Sequence, residues 1–267
     1  MANLKEIAKN VRRMQLEMHF NAGDSHIGCS LSPVEILIAL YFKVMKIDPQ
    51  QPLFPERDRF ILSKGHAASA LYTVLSERGF FPKEALYAFA RNGEKIASHV
   101  EYDAFPGVET NGGSGGHGLS LGIGMALVSI AGNKNYRIFV LMGDGELQEG
   151  AIWEAAMFAS SRKLSTLTLI IDRNEFQTWS KVDDVVAIES VSDKFKAFGW
   201  DVNEVDGHDA EQLANVLSKT SEHPRVIIAH TVKGKGVSFM EADGGAWHNG
   251  VLTEEQYKLA IEEINHA

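Results

Sequence analysis

One acidic side chain stands between two glycines, Gly143-Asp144-Gly145, and after 28 further residues comes Asn174. A carboxylate and an amide carbonyl are hard oxygen donors suited to Mg2+ or Ca2+, and Mg2+ takes its remaining ligands from water and phosphate. A lone Gly-Asp-Gly is most often a plain turn, so the segments around it decide its meaning. Arg137-Ile-Phe-Val-Leu-Met142 reads as a buried strand, about Gln148 to Ser161 as a helix, and Thr166-Leu-Thr-Leu-Ile-Ile171 as a second strand. In a right-handed strand-helix-strand unit both strands run the same way, so Asp144 and Asn174 fall on one edge of the sheet. If the strands are neighbours, the two backbones start about 5 Å apart. The helix after Asp144 aims its N-terminus at that edge, where free N–H groups favour an anion. The chemistry expected is a phosphate held by a metal.

The elements that must position this edge are also legible. Leu4, Ile7, Val11, Met14 and Met18 have the spacing of one buried helix face. Ser32, Pro33 and Glu35 form a capping box opening a helix through about Phe42. Arg59–Leu62 reads as a strand, His66 to Arg78 as a helix stopped by Gly79, and another helix starts near Pro82. Beyond residue 190 the pattern alternates: helix around Ser192–Phe198, strand near Trp200–Val205, helix at about Asp209–Lys219, strand Arg225–Ala229. Strands apolar throughout and spaced by helices predict a doubly wound, mostly parallel α/β sheet covered on both faces, with residues 1–267 as one domain. Met142, Met157 and the phenylalanines read as ordinary core. The stretch 107–124, with eight glycines, is too patterned for a spacer.

Composition narrows the function. The 267 residues carry 26 Lys and Arg against 35 Asp and Glu, a net charge of −9, which disfavours a surface built to track nucleic acid or anionic lipid. Cys29 is the single cysteine, which excludes an intrachain disulfide and a zinc site on paired thiolates, and fits a reducing cytoplasm. No His-x-His or His-x-x-x-His spacing suggests a catalytic zinc. The N-terminus lacks a signal-like apolar core and no apolar stretch approaches 18 residues, so neither export nor a membrane is expected.

The Asp–Asn spacing in its strand context resembles the signature of thiamine diphosphate enzymes, in which those two residues bind the Mg2+ that anchors the diphosphate. Further segments resemble transketolase motifs in order: Asp24-Ser-His-Ile-Gly28, Leu62-Ser-Lys-Gly-His66, Gly107-Val-Glu-Thr110, Gly116-His-Gly118, Gly143-Asp-Gly-Glu-Leu-Gln-Glu-Gly150, Asp206-Gly-His-Asp209 and Thr231-Val-Lys-Gly-Lys-Gly236. They span nearly the whole chain and are similar to the N-terminal, diphosphate-binding half of transketolase, above all in split enzymes whose halves are separate polypeptides.

That resemblance implies thiamine diphosphate with Mg2+, or Ca2+ or Mn2+ in its place, held by Asp144, Asn174 and the backbone carbonyl of Phe176. It implies cofactor contacts from His66, Gly115, Gly116, His117, Gly143, Gly145 and Glu146, and catalytic roles for His26, His66, His99 and His248, whose imidazoles can bind sugar hydroxyls and move protons near neutral pH. Glu149 matches a subunit-interface glutamate linking paired active sites. Family members activate the cofactor with a glutamate from the other half, so the resemblance implies a partner carrying the pyrimidine-binding and C-terminal domains, in an α2β2 assembly. The activity implied is transfer of a two-carbon ketol unit from a ketose, phosphorylated in the usual case, to an aldehyde.

Two positions depart from the family pattern. Gly115 stands where Leu is usual and Thr178 where a branched apolar residue is usual; both family side chains grip the thiazolium ring, so the cavity here should be larger unless Trp179 or the partner fills it. The alternatives are a relative with an unusual acceptor, the α-type subunit of a 2-oxo acid dehydrogenase, and a non-catalytic scaffold subunit.

Overall fold

The computed structural model describes residues 3–94 and 96–266. Its centre is a five-stranded parallel sheet of β1 (Arg59–Leu62), β2 (Ile138–Gly143), β3 (Leu167–Arg173), β6 (Asp201–Asp206) and β7 (Arg225–His230), in the order β1-β2-β3-β7-β6. A small antiparallel hairpin, β4 (Phe176–Gln177) and β5 (Ser180–Lys181), follows β3 directly. The helices are α1 (Leu4–Ala22), α2 (Ile27–Leu31), α3 (Val34–Ala39), α4 (Ala68–Arg78), α5 (Gly118–Ala131), α6 (Gly150–Ser161), α7 (Val182–Val185), α8 (Val191–Ala197), α9 (Ala210–Leu217), α10 (Ser238–Ala242) and α11 (Glu254–His266).

Strand side chains alternate between two cores, which is why the central strands are apolar at every step. Phe60, Leu62, Phe139, Leu141, Ile170 and Ile227 face one cluster shared with α1, α3, α4 and α9. Ile61, Val140, Met142, Leu169, Ile171 and Val226 face the other, shared with α5, α6 and α8. A third cluster packs Leu16, Ile27 and Leu31 against α10 and α11.

Most expected elements are present, with informative exceptions. No capping box forms at Ser32: the helix begins at Val34, the Ser32 hydroxyl donates to Asp172 Oδ2 at 2.6 Å, and Glu35 pairs with Arg12 at 2.6 Å. Both side chains go to tertiary partners instead of the local backbone. Near Pro82 the chain makes only 3-10 turns over Lys83–Ala88. Met157 and Phe158, expected in the core, are 50% and 41% exposed on α6. Helix α5 lies inside and beyond the Gly-rich stretch, where no helix is expected from the pattern. The helical stretch Ile27–Val44 is long and apolar enough, by length and composition, to cross a membrane, which corrects the expectation about apolar runs; 89% of it is buried within the fold.

Candidate active site

Strands β2 and β3 are hydrogen-bonded neighbours, with Gly143 opposite Asp172, so Asp144 and Asn174 emerge from adjacent strand ends on one edge of the sheet. They line a cleft of about 240 Å3 together with Gly143, Gly145, Glu146, Glu149, Phe176, Gly115, Thr178, His66 and His248. The hairpin β4–β5 packs against the one-turn helix Asp144–Gln148, and both contribute residues to the cleft. Glu175 and Thr178 take left-handed backbone angles, φ +66° and +47°, to turn the chain twice within four residues; for a β-branched residue such as Thr178 this is a strained conformation.

Asp144 is almost fully buried. Its Oδ1 accepts from the Gly145 N–H at 2.9 Å; its Oδ2 accepts from the Glu175 N–H at 2.6 Å and from Arg173 at 3.0 Å. Burial, with the nearby Asp172 carboxylate, pushes its pKa up to about 6 in spite of those donors. A buried carboxylate still short of positive charge is what a cation would relieve. Asn174 Oδ1 accepts from the Phe176 N–H at 3.1 Å, which turns that oxygen toward the hairpin and leaves a second lone pair. The donor set is all oxygen and the residues fit Mg2+.

Glu146 braces the edge. Its Oε1 accepts from the Gly143 N–H at 3.0 Å, and its Oε2 accepts from the Ser63 hydroxyl at 2.5 Å and the Gly116 N–H at 3.0 Å. It thus ties the Gly-rich loop to β1 and β2. Gly116 sits at φ +79°, and a Cβ there would come within 2.8 Å of Glu149 Cβ, so the loop passes only because the residue is glycine. A Cβ on Gly115 would meet nothing nearer than 3.8 Å, so this position leaves open space beside Glu149. Trp179 is 67% exposed and is not among the cleft residues, so it does not fill that space.

Four histidines gather at one side. Ring centroids of His26 lie 5.7, 5.2 and 5.2 Å from those of His66, His99 and His248, and His66 to His248 is 5.4 Å. His26 adopts φ +71° at the start of α2, and its backbone N–H donates to the His248 carbonyl at 3.0 Å, tying the two backbone segments together. Burial first, then neighbouring His99 and Lys233, lowers the His26 pKa to about 4; burial and Lys233 lower His248 to about 3, and burial and Lys64 push His66 well below the usual range. These imidazoles are neutral near pH 7. His117 is not in this group: it is exposed beyond the loop, where its Nδ1 contacts the Gly115 carbonyl at 3.0 Å. Glu149 reaches the cleft rim at the start of α6.

The structure adds residues that sequence motifs contained but did not single out. Lys64 follows β1 and Lys233 follows β7 on the same edge. The Lys64 ammonium is paired with Asp172 in full burial and donates to the Cys29 carbonyl at 3.1 Å. Burial alone would raise the Asp172 pKa, but Lys64, Ser32 and Thr231 hold it below the usual value. Lys233 donates to the Thr178 carbonyl at 3.0 Å, over the Phe176 ring, and burial lowers its pKa. An acid inside an otherwise apolar strand, as at Asp172, was the available signal, since a buried charge needs a partner. His208, in the motif at 206–209, is structural: it contacts Glu35 at 3.1 Å and accepts from the Val232 N–H at 2.8 Å.

Comparison with known proteins places this arrangement. Residues 4–264 match the family model described as transketolase, thiamine diphosphate binding domain. The chain is 42% identical over 260 residues to one of the subunits of the apulose-4-phosphate transketolase of Phocaeicola vulgatus, covering 96% of this chain and 92% of that protein. It is 40% identical over 265 residues to a 6-deoxy-6-sulfo-D-fructose transketolase subunit of a Clostridium species, covering 98% and 96%. Among solved structures, transketolase from Campylobacter jejuni superposes with a TM-score of 0.90 at 30% identity, over 99% of this chain but 43% of that one.

Proposed function

The chain belongs to the transketolase thiamine diphosphate-binding family, and from that membership we propose that it moves a two-carbon ketol unit from a phosphorylated ketose to an aldehyde in company with a second polypeptide. It is the thiamine diphosphate-binding subunit of a two-component transketolase, as its full-length likeness to named transketolase subunits indicates. When bound, thiamine diphosphate supplies a nucleophilic carbon and an electron sink for the bond that is cut and remade.

In this reading Asp144, Asn174 and the Phe176 carbonyl hold Mg2+ against the diphosphate. Lys233 supplies a further positive charge at the same edge, while Lys64 is already neutralised by Asp172. Glu146 keeps the Gly-rich loop at the distance the cofactor needs. The rings of His26, His66 and His248, kept neutral by burial, stand with His99 where they can hydrogen-bond sugar hydroxyls and orient the substrate. Gly115 leaves open space beside Glu149 and, with Thr178, sets substrate range in this reading.

The partner follows from surface as well as from family. Leu121, Leu127, Val128 and Ile130 on α5 are exposed beside Met157 and Phe158 on α6, a set of large apolar side chains next to Glu149 and the Gly-rich loop. Such a patch is read as an interface, and an α2β2 assembly in the cytoplasm is the arrangement proposed.

The single observation that carries the reading is the convergence of Asp144 and Asn174 at adjoining strand tips with four histidines across one cleft. The test is reconstitution with a chain bearing the missing half. Ketol transfer from sugar phosphates is expected, with His66→Ala lowering turnover about 100-fold or more while cofactor retention stays near wild type. Absence of transfer from every ketose offered, or loss of cofactor retention in His66→Ala, overturns the respective assignment.

A further inference from the structure

Cys29 in α2, His66 in the turn before α4 and His248 in the turn at 246–248 each bring one ligand atom to the same side of the cleft, and these atoms all lie within 4.8 Å of one another. Cys29 Sγ is 3.2 Å from His248 Nδ1. We propose that Cys29, His66 and His248 form a second metal site, for a borderline-soft divalent cation of the Zn2+ class, separate from the hard-oxygen pair Asp144 and Asn174.

Donor chemistry separates the two. A thiolate with two imidazoles selects Zn2+ and rejects Mg2+, which asks for oxygen. Bonds of about 2.0 Å to nitrogen and 2.3 Å to sulfur in a tetrahedral ion put these ligand atoms roughly 3.3–3.5 Å apart, so the widest separation here, within 4.8 Å, must close by up to about 1.5 Å, within reach of side-chain rotations. The three ligands come from three elements already fixed by the fold. His248 is tied by its carbonyl to the His26 N–H at 3.0 Å, and Cys29 by its carbonyl to Lys64. Three protein ligands leave the fourth position facing the cleft, the pattern of a zinc site open to an outside ligand.

Two cations face the ion, Lys64 and Lys233; Lys64 is already paired with Asp172. Lys233 Nζ lies 3.5 Å from His248 Nδ1, and it must give up that contact while keeping the Thr178 carbonyl at 3.0 Å. Binding also breaks the Cys29 S–H bond, forms a sulfur–metal bond and sends the proton to solvent, so affinity rises with pH. Cys29, His66 and His248 all line the cleft, so the ion, once held, and any organic molecule in that part of the cleft exclude one another. The site thereby makes the chain sensitive to free Zn2+. None of this rests on ketol transfer.

The experiment uses the purified full chain without cofactor, titrated with Co2+ as a visible stand-in and then competed with Zn2+. Expected are a thiolate-to-cobalt charge-transfer band and strong visible bands of a tetrahedral ion, removed by Zn2+ and not by excess Mg2+. Cys29→Ser should abolish the charge-transfer band and weaken Zn2+ binding beyond the roughly 10–100-fold that losing an outer-shell partner costs. His248→Ala, at a half-buried side chain, should weaken binding as strongly with the thiol intact and keeps the test open if the buried Cys29 variant fails to fold. Asp144→Asn should leave the band in place. Absence of the charge-transfer band, its survival in Cys29→Ser, or its loss in Asp144→Asn overturns the proposal.

Discussion

Two aspartates at neighbouring strand tips, Asp172 on β3 and Asp144 just past β2, meet opposite electrostatic fates. Asp172 is fully buried yet receives Lys64, the hydroxyls of Ser32 and Thr231, and the Asn174 amide, and its pKa falls. Asp144 is equally shielded from water, shares Arg173 with Glu189, and its pKa rises to about 6. Burial acts on both in the same direction, so the difference lies in how much positive charge the chain itself delivers. A carboxylate saturated from within is an anchor, and one left short is a place for an outside cation.

The largest test of this contrast is Lys64→Met, which strands the Asp172 charge in the core and should cost about 3–5 kcal/mol of stability in a urea titration. A loss below about 1 kcal/mol would mean Asp172 is not held by that pair.

The second test is a pH profile. Because the folded pKa of Asp144 stands above its ordinary 3.8, the folded state binds more protons between pH 4 and 6, and cofactor-free stability falls as pH rises through that window. The penalty, about 3 kcal/mol, is complete above pH 6. The depressed histidines act oppositely, losing stability as pH drops below their unfolded values, so the quantity to read is wild type minus Asp144→Asn, in which their effect cancels. A flat difference between pH 4 and 6 contradicts the assignment.

Ligand addition probes the same carboxylate from the other side. With Mg2+ and thiamine diphosphate at 100 times the dissociation constant, the assembled pair should gain about 2.7 kcal/mol, and Asp144→Ala should lose that gain and its cofactor retention while remaining folded. Equal thermal shifts in the two proteins would remove Asp144 from the metal site. The smallest change, Ser32→Ala, takes one donor from the oversupplied Asp172 and should cost about 1.5 kcal/mol, read from the denaturation midpoint. No measurable cost would place the weight of that network on Lys64 and Thr231.

The parallel sheet was legible because its signal is local: apolar runs of strand length, helices between them, a glycine at φ +93° ending α4. The Asp144–Asn174 pairing was legible for the same reason, since one strand-helix-strand unit contains both. The capping box at Ser32 misled because the local rule ignores a buried aspartate that takes the hydroxyl. Helix α5 escaped notice because its glycines suggest a loop, and because Leu121, Val128 and Ile130 stay exposed opposite buried Leu119, Ile123 and Ala126, leaving no polar face.

The sequence alone therefore determined the strand ends and which hard-oxygen donors stand on them, because backbone period and strand polarity operate over short stretches of chain. Only the tertiary structure decided which aspartate is satisfied and which is left short, and that Cys29 joins His66 and His248. Those outcomes depend on electrostatic partners and packing contacts delivered by elements far apart in the chain, and no spacing rule along the sequence encodes such distances.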